Sequence, residues 1–334
     1  MRALRLERQG PLESRPLEMV EVADPDPLPR QIRVRVHVCG ICRTDLHVIE
    51  GDLSPVRMPI IPGHQVVGIV DRLGPGCRRF AIGDRVGIAW LRHTCGACAF
   101  CLGGEENLCP GSKYTGWYED GGYAELAVVH EDFAYAIPDV FSDDEAAPLL
   151  CAGIIGYRAL ARSRVPDGGR LGLFGFGSSA HVTMQVALHR GCEVFVSTRG
   201  EAHRRLAHDL GAAWVGDADS LPPVPLDGAI LFAPAGELVP AALRALRKGG
   251  TLALAGIYMT PVPAMTYEAH LFHEKTLTSV EANTRADGEA LLAIAAAIPI
   301  RPRRQLFELA DGSRALAMLE HDGIEGTGVV VIAR

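Results

Sequence analysis

Four cysteines crowd into fifteen residues of the stretch RHTCGACAFCLGGEENLCPGSKYTG: Cys95, Cys98, Cys101 and Cys109. Tetrahedral zinc takes four soft ligands at about 2.3 Å, and a short loop carrying Gly96, Gly103 and Gly104 can wrap that tightly. Four thiolates leave no coordination position for water, so such a site is structural rather than catalytic. Disulfide pairing and an iron–sulfur cluster are the alternatives. The odd total of nine cysteines speaks against a disulfide framework. The spacing lacks the usual cluster runs.

A second set is spread over VCGICRTDLHVIEGD, IPGHQVVGIV and APLLCAGIIGYRAL, which offer Cys42, His64 and Cys151. Alone, each has an ordinary reading as a buried thiol, a turn residue or a small core residue. Together, two thiolates and one imidazole leave a fourth position open, which is the arrangement of a catalytic zinc.

These residues need elements to hold them. The N-terminal half alternates polar and apolar residues in QIRVRVHVCG, GIVDRLG and AELAVVH, with Gly and Pro between, which predicts a mostly β domain. Further on, an apolar run at Leu171–Phe174 leads into Gly175-x-Gly177-x-x-Ala180, with Ser178 and Ser179 between, and then into a helical pattern with Ala180, Met184, Ala187 and Leu188 on one face. Strand, glycine turn and helix form the dinucleotide-binding fingerprint, in which the backbone approaches a pyrophosphate at a helix N-terminus. EVFVST, EAHRRLAHDLGA, GAILFA, LVPAALRALRKG, GGTLALAG and KTLTSV continue the alternation of strands and helices, which predicts a doubly wound parallel sheet.

Composition bounds the partners. The 334 residues are 48% hydrophobic and 22% charged, with a net charge of -7. That balance argues against nucleic acid or an anionic membrane surface as partner. No stretch reads as a signal peptide or a bilayer span, and the expected location is the cytoplasm.

In order along the chain, GICRTDLH, IPGHQVVG, the cysteine quartet, DGGYAEL, LLCAG and GFGSSA resemble the zinc-containing alcohol dehydrogenases of the medium-chain dehydrogenase/reductase superfamily. The resemblance runs almost end to end. It implies a GroES-like β catalytic domain over residues 1–152 and 287–334 and a Rossmann cofactor domain over 153–286. It also implies two zinc ions per chain, one on Cys95, Cys98, Cys101 and Cys109 and one on Cys42, His64 and Cys151. Cys42, before x-Thr-Asp, is then the ligand rather than Cys39, and Cys39, Cys77 and Cys192 are left as free thiols. The implied activity is reversible hydride transfer between an alcohol and a nicotinamide cofactor. Thr44 would accept the alcohol proton and His47 would pass it on, while Asp45 orients His64 and Arg43 meets the pyrophosphate. Trp90 and Trp117 are candidate walls for an apolar substrate pocket. The implied assembly is a homodimer or homotetramer.

Three positions depart from the family. Gln65 follows the ligand His where relatives carry Glu, Thr327 stands where many carry an Arg, and Thr198 replaces the acid that ends the second Rossmann strand. With Thr198 followed by Arg199, and Arg204 and Arg205 beyond, a 2′-phosphate is accommodated rather than repelled, so NADP is expected over NAD. The rival readings are a zinc-free quinone or enoyl reductase, which would lack both ligand sets, and a zinc-binding interaction module, which would show basic or aromatic stripes around the quartet.

Overall fold

A computed structural model of the chain describes residues 1–217, 220–298 and 300–333. The chain forms two compact units. The first comprises Met1–Cys151, Thr284–Ala296 and the segment from Pro302 onward, and the second Ala152–Asn283 and Ala297–Arg301.

The first unit is built on a seven-stranded sheet path centred on the long strand Gln31–Gly40, which pairs antiparallel with Gln65–Leu73, with Leu126–His130 and with Thr327–Val331. In Gln31–Gly40 the apolar residues Ile32, Val34, Val36 and Val38 point to the core, as alternation dictates. Gln65–Leu73 departs from that pattern. Its first four residues are all buried, because both faces are covered at the end that leads out of the candidate site. Thr327 lies buried at the start of Thr327–Val331, a strand that also pairs in parallel with Arg304–Glu308.

The second unit holds a six-stranded, wholly parallel sheet. Its strands lie in the order Trp214–Gly216, Glu193–Ser197, Arg170–Phe174, Leu226–Leu231, Leu246–Leu254 and Thr276–Ser279. Read by chain position this is 3-2-1-4-5-6, the doubly wound order whose reversal lies beside the first strand. The fingerprint helix, Ser178–His189, buries residues on more than one stripe, including His181 and Thr183 as well as Ala180, Met184 and Ala187. The helix expected through LVPAALRALRKG stops at Ala245, and Leu246 already opens the next strand.

Candidate functional site: two cysteine-rich centres and a nucleotide fingerprint

The first unit brings Cys42, His64 and Cys151 together although 109 positions separate the two thiols. Cys42 is the N-cap of the helix Arg43–Glu50. The Asp45 backbone N–H donates to the Cys42 carbonyl at 3.0 Å, and the Asp45 carboxylate accepts the Cys42 N–H at 2.9 Å. A sulfur at a helix N-terminus sits where the peptide dipoles favour negative charge. His64 arrives on the turn before Gln65–Leu73, and Cys151 lies between the turn Ala147–Leu150 and the helix Ala152–Arg162.

The spacing tests the fit to a metal. Tetrahedral zinc with bonds of about 2.3 Å to sulfur and 2.0 Å to nitrogen sets S···S edges near 3.8 Å and S···N edges near 3.5 Å. Here Cys42 Sγ and Cys151 Sγ are 3.9 Å apart, and His64 Nε2 is 3.3 Å from Cys151 Sγ. In the second set Cys95 and Cys101 are 3.9 Å apart and Cys98 and Cys101 are 3.6 Å apart. The Cys95 and Gly111 amides donate to Cys109 Sγ at 3.4 and 3.3 Å, as N–H groups do around thiolates. All nine cysteines are free thiols, so disulfide pairing does not explain the quartet.

Electrostatics at the trio agree with a metal-ligating role. The hydrogen bond with Cys151 pulls the Cys42 thiol well below its usual range against the opposing effect of burial, and it drives the Cys151 thiol up. Burial works against charge on His64, but Asp45 and Cys42 overcome it and raise the imidazole to about 10. The Cys42 sulfur and the His64 ring are thereby each pushed toward the charged form.

Asp45 organises the surroundings. It accepts His64 Nδ1 at 2.9 Å, the Gly63 N–H at 3.3 Å and the Tyr123 hydroxyl at 2.8 Å. His64 Nε2 is thereby aimed at the sulfurs. Tyr123 is fully buried and was not singled out by the sequence reading. It stands in DGGYAEL, but nothing in that motif shows that its hydroxyl reaches a residue 78 positions away. Thr44 Oγ1 lies 3.6 Å from Cys42 Sγ, and His47 Nδ1 lies 2.7 Å from Asp52 Oδ2. Trp90 packs edge-on against His64, with ring centroids 4.9 Å apart, and stacks on Tyr114 and Trp117. The Gln65 side chain is buried and its Oε1 finds no hydrogen-bond partner among the described residues. The Arg43 guanidinium is paired with Asp322.

In the second unit, Gly175 follows the strand Arg170–Phe174 with φ +88°, and a Cβ there would come within 2.8 Å of the Ala233 nitrogen, so only glycine fits. Gly177 caps Ser178–His189, and a Cβ at that position would meet nothing within 4 Å. That open space at the N-terminus of a twelve-residue helix is where a pyrophosphate would fit. Ser178 and Ser179 form the first helical residues and Ala180 is buried behind them. Thr198 is buried too, and its hydroxyl donates to the Arg199 carbonyl at 3.4 Å. Among the described residues no hydrogen bond or ion pair holds the exposed Arg199, although its charge helps to keep the Glu237 carboxyl below its usual range, after the Glu237 backbone N–H and the Thr260 hydroxyl. Arg204 pairs with Asp217 and Arg205 with Glu201.

Comparison with known proteins gives this architecture a family. The alcohol dehydrogenase GroES-like domain matches residues 28–139, and the zinc-binding dehydrogenase domain matches residues 180–297. A protein of Mycobacterium tuberculosis named probable alcohol dehydrogenase AdhA is 53% identical over 99% of this chain and 97% of its own. The chain belongs to the zinc-type alcohol dehydrogenases of the medium-chain dehydrogenase/reductase superfamily. It is an oxidoreductase acting on small-molecule alcohols or aldehydes. A thermostable alcohol dehydrogenase from Pyrobaculum aerophilum, solved with cobalt and zinc bound, superposes with a TM-score of 0.89 at 26% identity over 99% of each chain. A protein from Sinorhizobium meliloti 1021 described as a putative zinc-binding dehydrogenase, solved bound to NADP, gives 0.87 at 26% identity over 99% of each chain. No helix among the described residues of the enzyme is long and apolar enough to cross a membrane.

Proposed function

We propose that the enzyme is a zinc-dependent, NADP-preferring alcohol dehydrogenase with two zinc ions per chain. The observation that carries the reading is the pair of ligand sets whose spacings match the edges of a zinc tetrahedron, one closed by four sulfurs and one left open. Cys95, Cys98, Cys101 and Cys109 would hold the structural ion, and Cys42, His64 and Cys151 the catalytic one. Residues 1–152 and 287–334 then form the catalytic domain and 153–286 the cofactor domain. When bound, zinc at the trio supplies Lewis acidity toward the substrate oxygen, and the nicotinamide dinucleotide takes or gives the hydride.

The chain's own residues supply the rest. Asp45 holds His64 in the tautomer that presents Nε2 to the metal. The buried Thr44 hydroxyl beside Cys42 accepts the alcohol proton, and His47 carries it outward. Trp90 and Trp117 stack into an aromatic wall that suits an apolar substrate body. Gly175, Gly177, Ser178, Ser179 and Ala180 receive the pyrophosphate.

The preference for NADP rests on the absence of a carboxylate at Thr198 and on the free Arg199 guanidinium, which can donate a bidentate pair to a 2′-phosphate. The Sinorhizobium relative solved with NADP supports the same choice. The test is steady-state kinetics with both cofactors: Arg199→Ala is expected to raise the Michaelis constant for NADP far more than for NAD. A wild-type enzyme with the higher catalytic efficiency on NAD contradicts the assignment. Self-association as a dimer or tetramer and a cytoplasmic location complete the reading. Among the described residues Thr276–Ser279 ends the parallel sheet, and this edge with the exposed Tyr267 and Phe272 nearby in sequence supports an interface on the second unit.

A further inference from the structure

The strand Leu246–Leu254 enters the parallel sheet of the second unit through a wide bulge. Leu246 pairs with Leu226 and Thr251 with Gly228, so residues 247–250 stand against Asp227 alone. Extra residues in one strand re-aim side chains at the rim of a sheet. Hydrogen bonds pin the bulge. Gly249, at φ +75°, donates its N–H to the His273 carbonyl at 2.9 Å. Arg247 Nε donates to Asp227 Oδ1 at 2.6 Å, and Arg247 Nη1 to the Lys248 carbonyl at 2.7 Å. Glycine takes the left-handed conformation without the strain a Cβ would bring. Arg247 and Lys248 line an open cavity of about 470 Å³, together with Arg244, His273, Lys275 and the segment 221–225. Leu226 and Leu246 begin their parallel strands, whereas the glycine fingerprint follows the last residue of Arg170–Phe174. The cavity and the fingerprint therefore lie at opposite ends of the sheet, with about 17 Å of the strand Leu226–Leu231 between them.

The lining is of two kinds. Residues 221–225 read Leu-Pro-Pro-Val-Pro and give a stiff apolar wall. The rest is cationic and largely held in place. Arg244 Nη1 donates to His270 Nε2 at 3.2 Å, and His270 Nδ1 donates to the Thr266 carbonyl at 2.8 Å, so the ring is a neutral acceptor. Lys275 Nζ donates to the Leu243 carbonyl at 2.7 Å, and burial lowers its ammonium below the usual range. Among the described residues the exposed Lys248 ammonium makes no hydrogen bond or ion pair, and of these cations only Arg247 has a carboxylate partner, Asp227. Arg244, Lys248 and Lys275 thus gather uncompensated positive charge in one concavity of a protein whose net charge is -7. We propose that this cavity binds a small phosphate-bearing molecule with an apolar body, at a site separate from the dinucleotide fingerprint. The Arg244 fork matches two phosphate oxygens, and the lysines add point charges beside it. The proline-rich wall takes the body, and the volume is that of a small-molecule site. The negative charge of the whole protein disfavours an extended polyanion and leaves a small one. The site is independent of metal content and of the cofactor preference.

The test is calorimetric titration of phenyl phosphate into the holoenzyme with NADP saturating. One molecule per chain is expected to bind, about tenfold or more tighter than inorganic phosphate, because the ring is buried against the apolar wall. The double variant Arg244→Gln with Lys248→Gln keeps a donor for His270 and is expected to weaken binding about tenfold or more, as loss of charged hydrogen bonds does. Its alcohol oxidation is expected to stay at the wild-type rate, which shows that the fold stands. Lys248→Glu changes an exposed side chain with no partner to lose, and is expected to weaken binding in the same direction without risk to the fold. Absence of binding overturns the proposal, as does binding that neither variant weakens. Affinity no better than that of inorganic phosphate overturns the apolar body. Binding that disappears as NADP is raised would place the probe at the fingerprint and overturn the separate site.

Discussion

At the scale of single residues, the proposed function divides the work between holding a metal at the trio and moving a proton through its neighbours. Thr44 is buried against Cys42, so no water can easily take over its hydroxyl, whereas His47 lies nearer to solvent. Thr44→Ala is therefore expected to depress turnover by about 10²–10⁴, the range of a positioned general acid–base group, and His47→Ala by much less. Equal, near-wild-type turnover for both variants would show that the relay runs elsewhere. The three residues that the structure brings together were marked in the sequence by residue type, because a metal demands particular ligands: cysteine before x-Thr-Asp, histidine after Pro-Gly, cysteine after Leu-Leu. Supporting contacts were not. Tyr123 on Asp45, Asp52 on His47 and Asp217 on Arg204 are ordinary polar residues whose partners are set by how turns fold back, and spacing carries no mark of that.

At the scale of elements, the fingerprint helix shows where pattern falls short. Its apolar face was visible, but the burial of His181 in its first turn was not, because a histidine among small residues looks solvent-facing. Burial lowers that imidazole to about 4, with the Gly177 and Ser178 backbone only partly offsetting it. Between pH 6.5 and 4 the unfolded chain binds a proton there that the folded ring does not, so stability falls as the pH falls through this window and levels off below it. The gap amounts to about 3 kcal/mol at full extent. Urea unfolding of wild type and His181→Gln at pH 7 and pH 5 is expected to show the smaller acid-induced loss in the variant. Parallel losses would mean that the ring is not the titrating group. The quartet loop is anchored in a comparable way. Glu106, three residues before Cys109, accepts the Arg285 N–H, Nε and Nη2 at 2.6–3.0 Å, and Arg285 also covers the Phe133 ring. The loop that would hold the structural metal is thereby tied to the start of the helix Arg285–Ala297, where the chain re-enters the first unit.

At the scale of the whole molecule, the two-unit plan was foreseeable because a period-two β pattern gives way to alternating strands and helices near the middle of the chain. The second passage between the units is not a single boundary. Residues 284–296 join the first unit, yet 297–301 pack with the second, where Arg301 bonds Gln185 on the fingerprint helix. Such a return depends on tertiary contacts that local composition does not encode. The account of function depends on one closed and one open ligand set in the first unit, and metal content tests it most directly. The purified enzyme is expected to carry two zinc ions per chain. Cys42→Ala should carry one, remain folded and lose activity, whereas Cys95→Ala should lose folding stability, because a structural zinc contributes folding free energy outright. A wild-type content near one that Cys42→Ala leaves unchanged would contradict the catalytic zinc site.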